Sequence, residues 1–435
     1  MRAPQAPQTA TPPAVLPRLL EQVGAPGRAA TLAEHVGRHG HVPYRGTGRL
    51  LIDTIEQAGL TGRGGAAFPT FRKWNAVADG GKRAVVVGNG AEGEPAAWKD
   101  RALLTTNPHL VLDGLQLAAE AVDANKVYLY LQDDSLVGAS IDRAIDERRA
   151  SRIDHIDVEV VTAPTRFISG EESALSNRVS GGPAKPRFTP PRVFERGVKN
   201  RPTLVQNVES LAHVALIARY GAPWFRQAGP AEDPGTMLVS ISGVVSPVVL
   251  EAQRGASIAA VFERAGVDQD EVGAVLIGGY HGAWLTRDEA WSLHLANSEL
   301  KPRGAAVGAG VLVAFPKDRC GLHESARVVD YLAGESAQQC GPCMFGLPAL
   351  ADTMHHLASP QGAHRGTVDE IARLGNLVER RGACHHPDGS MRFVRSALRV
   401  FAPEVALHAS GRCSGTSTRQ VLPIHEAPQR PADWK

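Results

Sequence analysis

Residues 84–95 read Ala84-Val85-Val86-Val87-Gly88-Asn89-Gly90-Ala91-Glu92-Gly93-Glu94-Pro95. Ala84–Gly88 is a short β-rich run, and a loop with an Asn and two carboxylates follows it directly. The chain beyond it alternates. Arg101–Val122 has the apolar spacing of a helix, Val127–Leu131 is a second strand, Leu136–Ala150 a second helix and Asp157–Val161 a third strand. This order predicts an α/β fold with a parallel, doubly wound sheet. Sheets of this kind bind ligands beyond the carboxyl ends of their strands. The loop Asn89–Pro95 and the loop after Val161 are therefore the first places to look for a site.

The whole chain has 435 residues, 47 Lys+Arg against 45 Asp+Glu, 43% hydrophobic residues and five cysteines. Single cores stop growing near ~250–300 residues, so several domains are expected. The net charge of +2 argues against a general nucleic-acid binder. Five cysteines are too few for a disulfide framework and read as reduced thiols. The N-terminus has no targeting pattern. The longest apolar run, Ala305–Phe315, is well short of the ~20 residues that span a bilayer. A cytoplasmic protein without direct membrane insertion is expected.

The texture divides the chain into residues 1–17, expected disordered; an α/β domain over 18–230; a small β-rich module over 236–310; a helical bundle over 320–410; and a tail from 414 to 435, also expected disordered. The module carries strands at Met237–Ser242, Pro247–Glu251 and Ala274–Ile277 around a helix at Ile258–Ala265. The bundle's helices are expected at 323–334, 346–358, 367–381 and 390–408.

Gly62-Arg63-Gly64-Gly65-Ala66-Ala67-Phe68-Pro69 can bring backbone amides against phosphate or flavin oxygens, with Lys73 and Trp74 close behind; the alternative is a glycine-rich surface turn. Asn89, Glu92 and Glu94 can accept hydrogen bonds from ribose hydroxyls or simply favour a helix N-terminus. Gly170-Glu171-Glu172-Ser173, after Phe167, reads equally as helix capping. Pro202–Ser210 reads as a polar helix start. Residues 178–201 hold seven Lys or Arg against one acid, Glu195, which suits a solvated loop or a phosphate-facing one. Cys340-Gly341-Pro342-Cys343 has the spacing of a metal or cluster site, with a redox dithiol or unrelated buried thiols as the alternatives, and Cys384 lies 41 residues beyond.

Together and in this order, these segments resemble the NADH-binding flavoprotein subunit of respiratory complex I, a family that includes the equivalent subunits of NAD-linked hydrogenases and formate dehydrogenases. The family's G-R-G-G-A-G-F-P-T-G-x-K-W corresponds to Gly62–Trp74, and its N-A-D-E-G-E-P…K-D-R to Asn89–Pro95 and Lys99–Arg101. Its Y-I-C-G-E-E-T-A-L corresponds to Phe167–Leu175, and its P-T-x-V-N-N-V-E-T-L to Pro202–Leu211. The resemblance covers roughly residues 30–410. It implies a Rossmann-like FMN- and NADH-binding domain, a β-grasp (soluble-ligand-binding) module with Ser242-Gly243 and Ile277-Gly278-Gly279, and an iron–sulfur bundle introduced by Glu335-Ser336. By that resemblance Gly62, Arg63, Gly64, Gly65, Lys73, Asn89, Glu92, Glu171, Gln206, Asn207 and Ser210 line the flavin. Phe68, Glu94, Phe167 and Glu172 sit nearer the nicotinamide nucleotide, and Gly170 belongs to the same set. No catalytic nucleophile or general base is implied, because hydride transfer mainly requires two rings to be oriented.

The sequence departs from the family pattern at informative places. The family's Asp is Ala91, its stacking Tyr is Phe167 and one of its paired Asn is Gln206. Of its C-x-x-C-x-x-C plus distant Cys, the first position is Ala337, leaving Cys340, Cys343 and Cys384 as ligands. Three thiolates suit a three-iron cluster, or a 4Fe-4S cluster with an outside ligand such as Cys320, Cys413, His385 or a partner's residue. A zinc site including His385 and a relic without metal are the alternatives. The expected activity is that of an NADH dehydrogenase-like oxidoreductase passing electrons from NADH through FMN and an iron–sulfur centre to a ferredoxin-like or membrane-bound reductase partner. A non-catalytic relay subunit with degenerate sites, and a ligand sensor acting through the β-grasp module, are the competing readings.

Overall fold

The computed structural model describes residues 16–435 apart from 26, 47, 81–82, 360–361, 427 and 429. The disorder expected for residues 1–17 thus falls almost wholly outside the described residues. Four strands form the first sheet: β1 (Ala84–Gly90), β2 (Ala124–Gln132), β3 (Val158–Ala163) and β4 (Thr203–Asn207). They run parallel in the order β3-β2-β1-β4. Val86 faces a core with Leu104, Leu115 and Leu211, while Val85 and Val87 face Tyr128, Tyr130 and Val205 on the other side. Burial on both faces explains an unbroken valine run in place of alternation. From β1 the chain passes to β2 and β3 on one side and returns to β4 on the other. The switch point therefore lies between β1 and β4, where ligands of such sheets bind.

Two sequence expectations shift here. Pro202–Ser210, read as a helix start, holds β4 first. The helix Val208–Phe225 then begins at once, capped by Asn207, whose side chain accepts from the Glu209 amide at 3.0 Å. A run as short as Thr203-Leu204-Val205 carries no periodicity that separates strand from helix. The single helix expected over Arg101–Val122 is two, Lys99–Thr106 and Pro108–Ala121, because Pro108 cannot donate the i→i−4 bond and starts a new helix.

The second sheet is mixed: β5 (Thr236–Gly243), β6 (Val248–Gln253), β7 (Val272–Ile277), β8 (Ala283–Thr286) and β9 (Val311–Pro316) lie in the order β6-β5-β9-β7-β8, with only β5 and β9 parallel. Its faces divide with the period of two that a strand imposes. Val311, Val313 and Phe315 share a core with the C-terminal helices, whereas Leu312 and Ala314 pack with Ile258 and Phe262 of the helix Ile258–Arg264. The second half of the long apolar run, Val311–Phe315, is thus a strand buried on both sides, while 305–310 form a loop and turn before it.

The C-terminal helices are Gly321–Gly334, Leu347–Ala358, Arg365–Val378, His386–Val400 and Ala402–Ala409. The fourth expected helix, 390–408, is broken near Phe401 because Pro403 opens a new helix. The tail, expected disordered, packs back on the protein. The amides of Val421 and Leu422 donate to Glu324, each at 3.2 Å, Arg166 donates to the Glu426 carbonyl at 2.7 Å, and Trp434 is buried with its carbonyl accepting from Ala184 at 2.6 Å. Its apolar anchors, Leu422 and Trp434, are too far apart in sequence to form a periodic pattern.

Candidate functional site

The four motif segments converge at the carboxyl ends of β1 and β4. Asn89, at the end of β1, donates from Nδ2 to the Gly170 carbonyl at 2.9 Å, and Asn207, at the end of β4, donates to the Asn89 carbonyl at 3.2 Å. The glycine loop closes over them, with the Gly62 amide on the Phe68 carbonyl at 2.8 Å. A Cβ added at Gly64 would sit 3.3 Å from Asn207 Cβ, and one at Gly93 only 2.3 Å from the Phe167 carbonyl oxygen. Glycine at position 93 is thus what lets the loop after β1 touch the loop after β3. Lys73 reaches over to Glu172 at 3.3 Å and the Val205 carbonyl at 3.3 Å, while Trp74 donates to Gln206 at 3.4 Å.

Several expected cofactor ligands have structural duties. Arg63 is buried beneath its loop, its guanidinium donating to Thr61 and to the Thr236 carbonyl at 3.1 Å, and the Ser210 hydroxyl accepts the Arg63 amide at 2.9 Å. These two side chains hold the loop from below instead of facing the cleft. Glu92 accepts the amides of Asp100 (3.0 Å) and Arg101 (2.9 Å) at the start of a helix, and Glu171 accepts those of Ser173 and Ala174, each at 3.0 Å. Burial, reinforced by Asp100, pushes the Glu92 carboxyl up to about 7. Glu94 turns toward the second sheet, where it accepts the Tyr280 amide at 2.7 Å, and burial pushes it up to about 7. Gly279, at φ 81°, permits this approach, since a Cβ there would lie 2.3 Å from Glu94 Oε2.

Some features of the cleft suit a flavin nucleotide. Phe68 is exposed at its rim, and Glu172 Oε1 is buried without a hydrogen-bond partner among the described residues; in the glycine loop the Gly62 and Arg63 amides are spent on the Phe68 carbonyl and the Ser210 hydroxyl, and Gly64 packs closely over Asn207. Behind it lie residues to which the sequence alone assigns no role. Lys99, buried, bridges Asp100 at 2.6 Å and Glu209 at 2.9 Å, and Asp100 in turn accepts from Asn207 at 2.7 Å. Their one sequence signal is the Lys99-Asp100-Arg101 triplet, which the family resemblance marks without a function.

Phe167 stands between the two sheets and the helices. Its amide donates to Glu335 at 2.7 Å, and Glu335, fully buried, also pairs with Arg166 at 2.9 Å. Its ring stacks nearly parallel to Tyr280 (centroids 6.4 Å, 8°) and meets His281 edge-on at 4.6 Å, with Tyr331 and His386 at 6.1 and 5.8 Å. His386 Nε2 lies 2.8 Å from the Leu332 carbonyl, which requires the proton there, so its Nδ1 accepts from His281 Nε2 at 3.1 Å. Burial lowers both imidazoles, which keeps them neutral.

Glu335 opens the cysteine turn. Cys340 and Cys343 flank the start of a π-helical turn, Pro342–Gly346, and the neighbouring thiols of Cys340 and Cys384 add to burial in pushing Cys343 up. Cys340 and Cys384 are thus both near enough to Cys343 for their charges to act on it, although the three do not gather within 4.8 Å of one another. At the fourth position, Ala337 is buried against Ile168 and Trp434, and its carbonyl accepts from Lys185 at 3.1 Å. The other residues considered for the cluster lie elsewhere. His385 is fully exposed on Asp388 at 3.2 Å, which removes it from a single-ion zinc set with these cysteines. Cys320 and Cys413 gather with Glu404 and His408. The basic loop 178–201 spends much of its charge on protein acceptors, Arg187 on Ser176 at 3.1 Å and Arg201 on the Arg83 carbonyl at 2.6 Å.

Residues 55–216 match the Nuo51 FMN-binding domain, and residues 324–408 match the NADH-ubiquinone oxidoreductase-F iron-sulfur binding region. The chain is 29% identical over 377 residues to an F subunit of the NADH-quinone oxidoreductase of Rhizobium meliloti, covering 83% of this chain and 89% of that one. It is 30% identical over 377 residues to the F subunit of the NADH-quinone oxidoreductase of Streptomyces coelicolor, covering 83% of each. Among solved structures, NAD+-reducing [NiFe]-hydrogenase in the H2-reduced state superposes with a TM-score of 0.75 at 28% identity. That match covers 82% of this chain, which spans 62% of the hydrogenase chain's length.

Proposed function

Since the chain belongs to the family of the F subunits of NADH-quinone oxidoreductases, we propose that it is the NADH-oxidising module of a larger electron-transfer assembly. It is an NADH dehydrogenase-type flavoprotein that uses FMN and an iron–sulfur centre. FMN supplies the conversion of a two-electron hydride donor into one-electron transfers. The protein's part is binding and orientation. Gly62–Gly65 and Asn207 form the flavin cradle, Lys73 sets a positive charge beside Glu172, and Phe68 and Phe167 provide aromatic faces at the nucleotide side. Cys340, Cys343 and Cys384 hold the cluster. The arrangement that carries this reading is Glu335, one carboxylate fixing both Phe167 and the start of the cysteine turn.

The acceptor we assign to it is an iron–sulfur carrier or reductase subunit that docks beside Cys343, where Met344 and Phe345 are exposed. We also read the sheet β5–β9 as the family's β-grasp module, and the protein as cytoplasmic; among the described residues no helix is long and apolar enough to cross a membrane. Visible spectra of the anaerobically purified full chain, before and after NADH, test the proposal. Bleaching of flavin absorbance together with iron-dependent change is expected. Protein that neither retains FMN nor takes it up would overturn it in favour of a non-catalytic subunit.

A further inference from the structure

Cys320 and Cys413 have no place in the flavin and cluster apparatus, yet the fold brings them together. Cys320 precedes the helix Gly321–Gly334, and Cys413 follows the helix Ala402–Ala409. On that second helix Glu404 and His408 stand four residues apart and so share a face. One ligand atom from each of the four residues lies within 4.8 Å of the others, the only such group among the described residues. Cys320 Sγ is 3.5 Å from His408 Nε2 and 3.9 Å from Glu404 Oε1, and His408 Nε2 is 3.1 Å from Glu404 Oε1. A tetrahedral zinc ion with bonds of about 2.3 Å to sulfur and about 2.0–2.2 Å to nitrogen and oxygen needs ligand atoms roughly 3.4–3.8 Å apart. The observed spacings bracket that range.

Burial raises both thiols, opposed in part by the amides of Leu322 and His323 beside Cys320 and of Gly415 beside Cys413. Amides so placed support a thiolate once it ligates a metal. Glu404 is oriented by Ser414, whose amide donates to Oε1 at 2.9 Å and whose hydroxyl donates to Oε2. Gly415 lets the tail close over the site, since a Cβ there would lie 2.8 Å from the Cys320 nitrogen. Cys320, Glu404 and His408 are buried, while Cys413 is exposed and arrives with the tail.

We propose that Cys320, Glu404, His408 and Cys413 form a zinc site, separate from Cys340, Cys343 and Cys384, that staples the C-terminal tail to the helices. Two thiolates, one imidazole and one carboxylate are a donor set for Zn2+. On loading, each thiol releases its proton to solvent, His408 binds through Nε2 with its proton on Nδ1, and nothing is oxidised or reduced. The stapled segment then runs on to Glu324, Tyr280 and Arg166, so the ion would fix the strap that leans on the Phe167 surroundings.

The test is zinc and iron content of the full-length chain, purified under reductant and supplied with both metals. About one zinc per chain is expected. Cys413→Ser and His408→Ala should each lower retained zinc at least tenfold with iron unchanged, and Cys343→Ser should lower iron with zinc unchanged. Cys413 is exposed, so its variant should keep wild-type circular dichroism, which separates ligand loss from misfolding. Cobalt loaded in place of zinc should give a thiolate charge-transfer band that Cys413→Ser abolishes. The proposal fails if zinc stays far below one per chain, if Cys413→Ser leaves zinc unaltered, or if that variant loses iron instead.

Discussion

Lys99→Met removes the cation that two buried carboxylates share. Lys99, Asp100 and Glu209 are each almost fully excluded from water, with the ammonium 2.6 Å from Asp100 and 2.9 Å from Glu209. Methionine keeps the length and apolar stem but not the charge. Breaking a buried pair by deleting one partner costs about 3–5 kcal/mol, mostly the penalty of a stranded charge. Two carboxylates are stranded here, and Arg63 acts on Glu209 from nearby, so the same range is expected at pH 8. The variant should relieve this by holding a proton on one carboxyl that the unfolded chain has released. A carboxyl raised in the folded state contributes stability that is lost as pH rises toward its folded pKa, by up to about 1.4 kcal/mol per pH unit. The deficit should therefore be smaller at pH 5.5 than at pH 8.

Urea unfolding of wild type and variant at both pH values reads this directly. FMN occupancy should fall in parallel, because Asp100 and Lys99 hold Asn207, the residue beneath Gly64. Asp100→Asn added to Lys99→Met should recover part of the loss at pH 8. A deficit below about 1 kcal/mol at pH 8, or one that does not change between the two pH values, would show that the triad does not carry the charge balance assigned to it.

Glu94→Gln keeps an acceptor for the Tyr280 amide and loses the charge, so KM for NADH should rise about fivefold, an effect of ~1 kcal/mol, with FMN retained; equal loss of both contradicts its nucleotide-side placement. Gly93→Ala forces a methyl into the Phe167 carbonyl and should reduce FMN content of purified protein severalfold; wild-type content means the two loops need not touch. Ala337→Cys restores a fourth thiol and should raise the iron:protein ratio, whereas an unchanged ratio argues against a cluster geometry at this turn. Glu335 is pushed up to about 7 by burial, which outweighs Arg166. Its contribution is complete below about pH 4.5 and is lost as pH rises through about 7, so Glu335→Gln should flatten thermal stability between pH 5 and 8; parallel wild-type and variant curves count against this.

The parallel sheet was legible because Ala84–Gly88, Val127–Leu131 and Asp157–Val161 are compact apolar runs separated by helical spacing. β4 was not, since Thr203–Asn207 runs straight into the helix Val208–Phe225 with no glycine or proline to separate strand from helix. Breaks at Pro108 and Pro403 were readable from the prolines but were overridden by the continuous apolar spacing around them. At the site, the motifs named loops that the fold brings together at the ends of β1 and β4, but they do not give the direction of each side chain. Arg63 and Ser210 belong to a motif and face inward, and nothing in a sequence distinguishes a residue that touches a ligand from one that holds the loop that does. The cluster of Cys320, Glu404, His408 and Cys413 was hidden for another reason: its spacing within 404–413 is unremarkable until the fold adds a thiol from 84 residues earlier.

Phe167 connects these observations. Its carbonyl meets Gly93 of the β1 loop, its amide is held by Glu335 of the cysteine turn, and its ring packs on Tyr280 and His281 of the second sheet and on Tyr331 and His386 of the helices. The partners come from four separate parts of the chain, so the ring's position is defined only when all of them are in place. A hydroxyl at this position, as the family pattern has, would need a hydrogen-bond partner among these buried rings. Phenylalanine removes that requirement, and the cage is closed by the imidazole pair His281–His386, kept neutral by burial. Phe167 and the cysteine turn are therefore coupled mechanically through one residue's backbone, and a change at either end should be felt at the other.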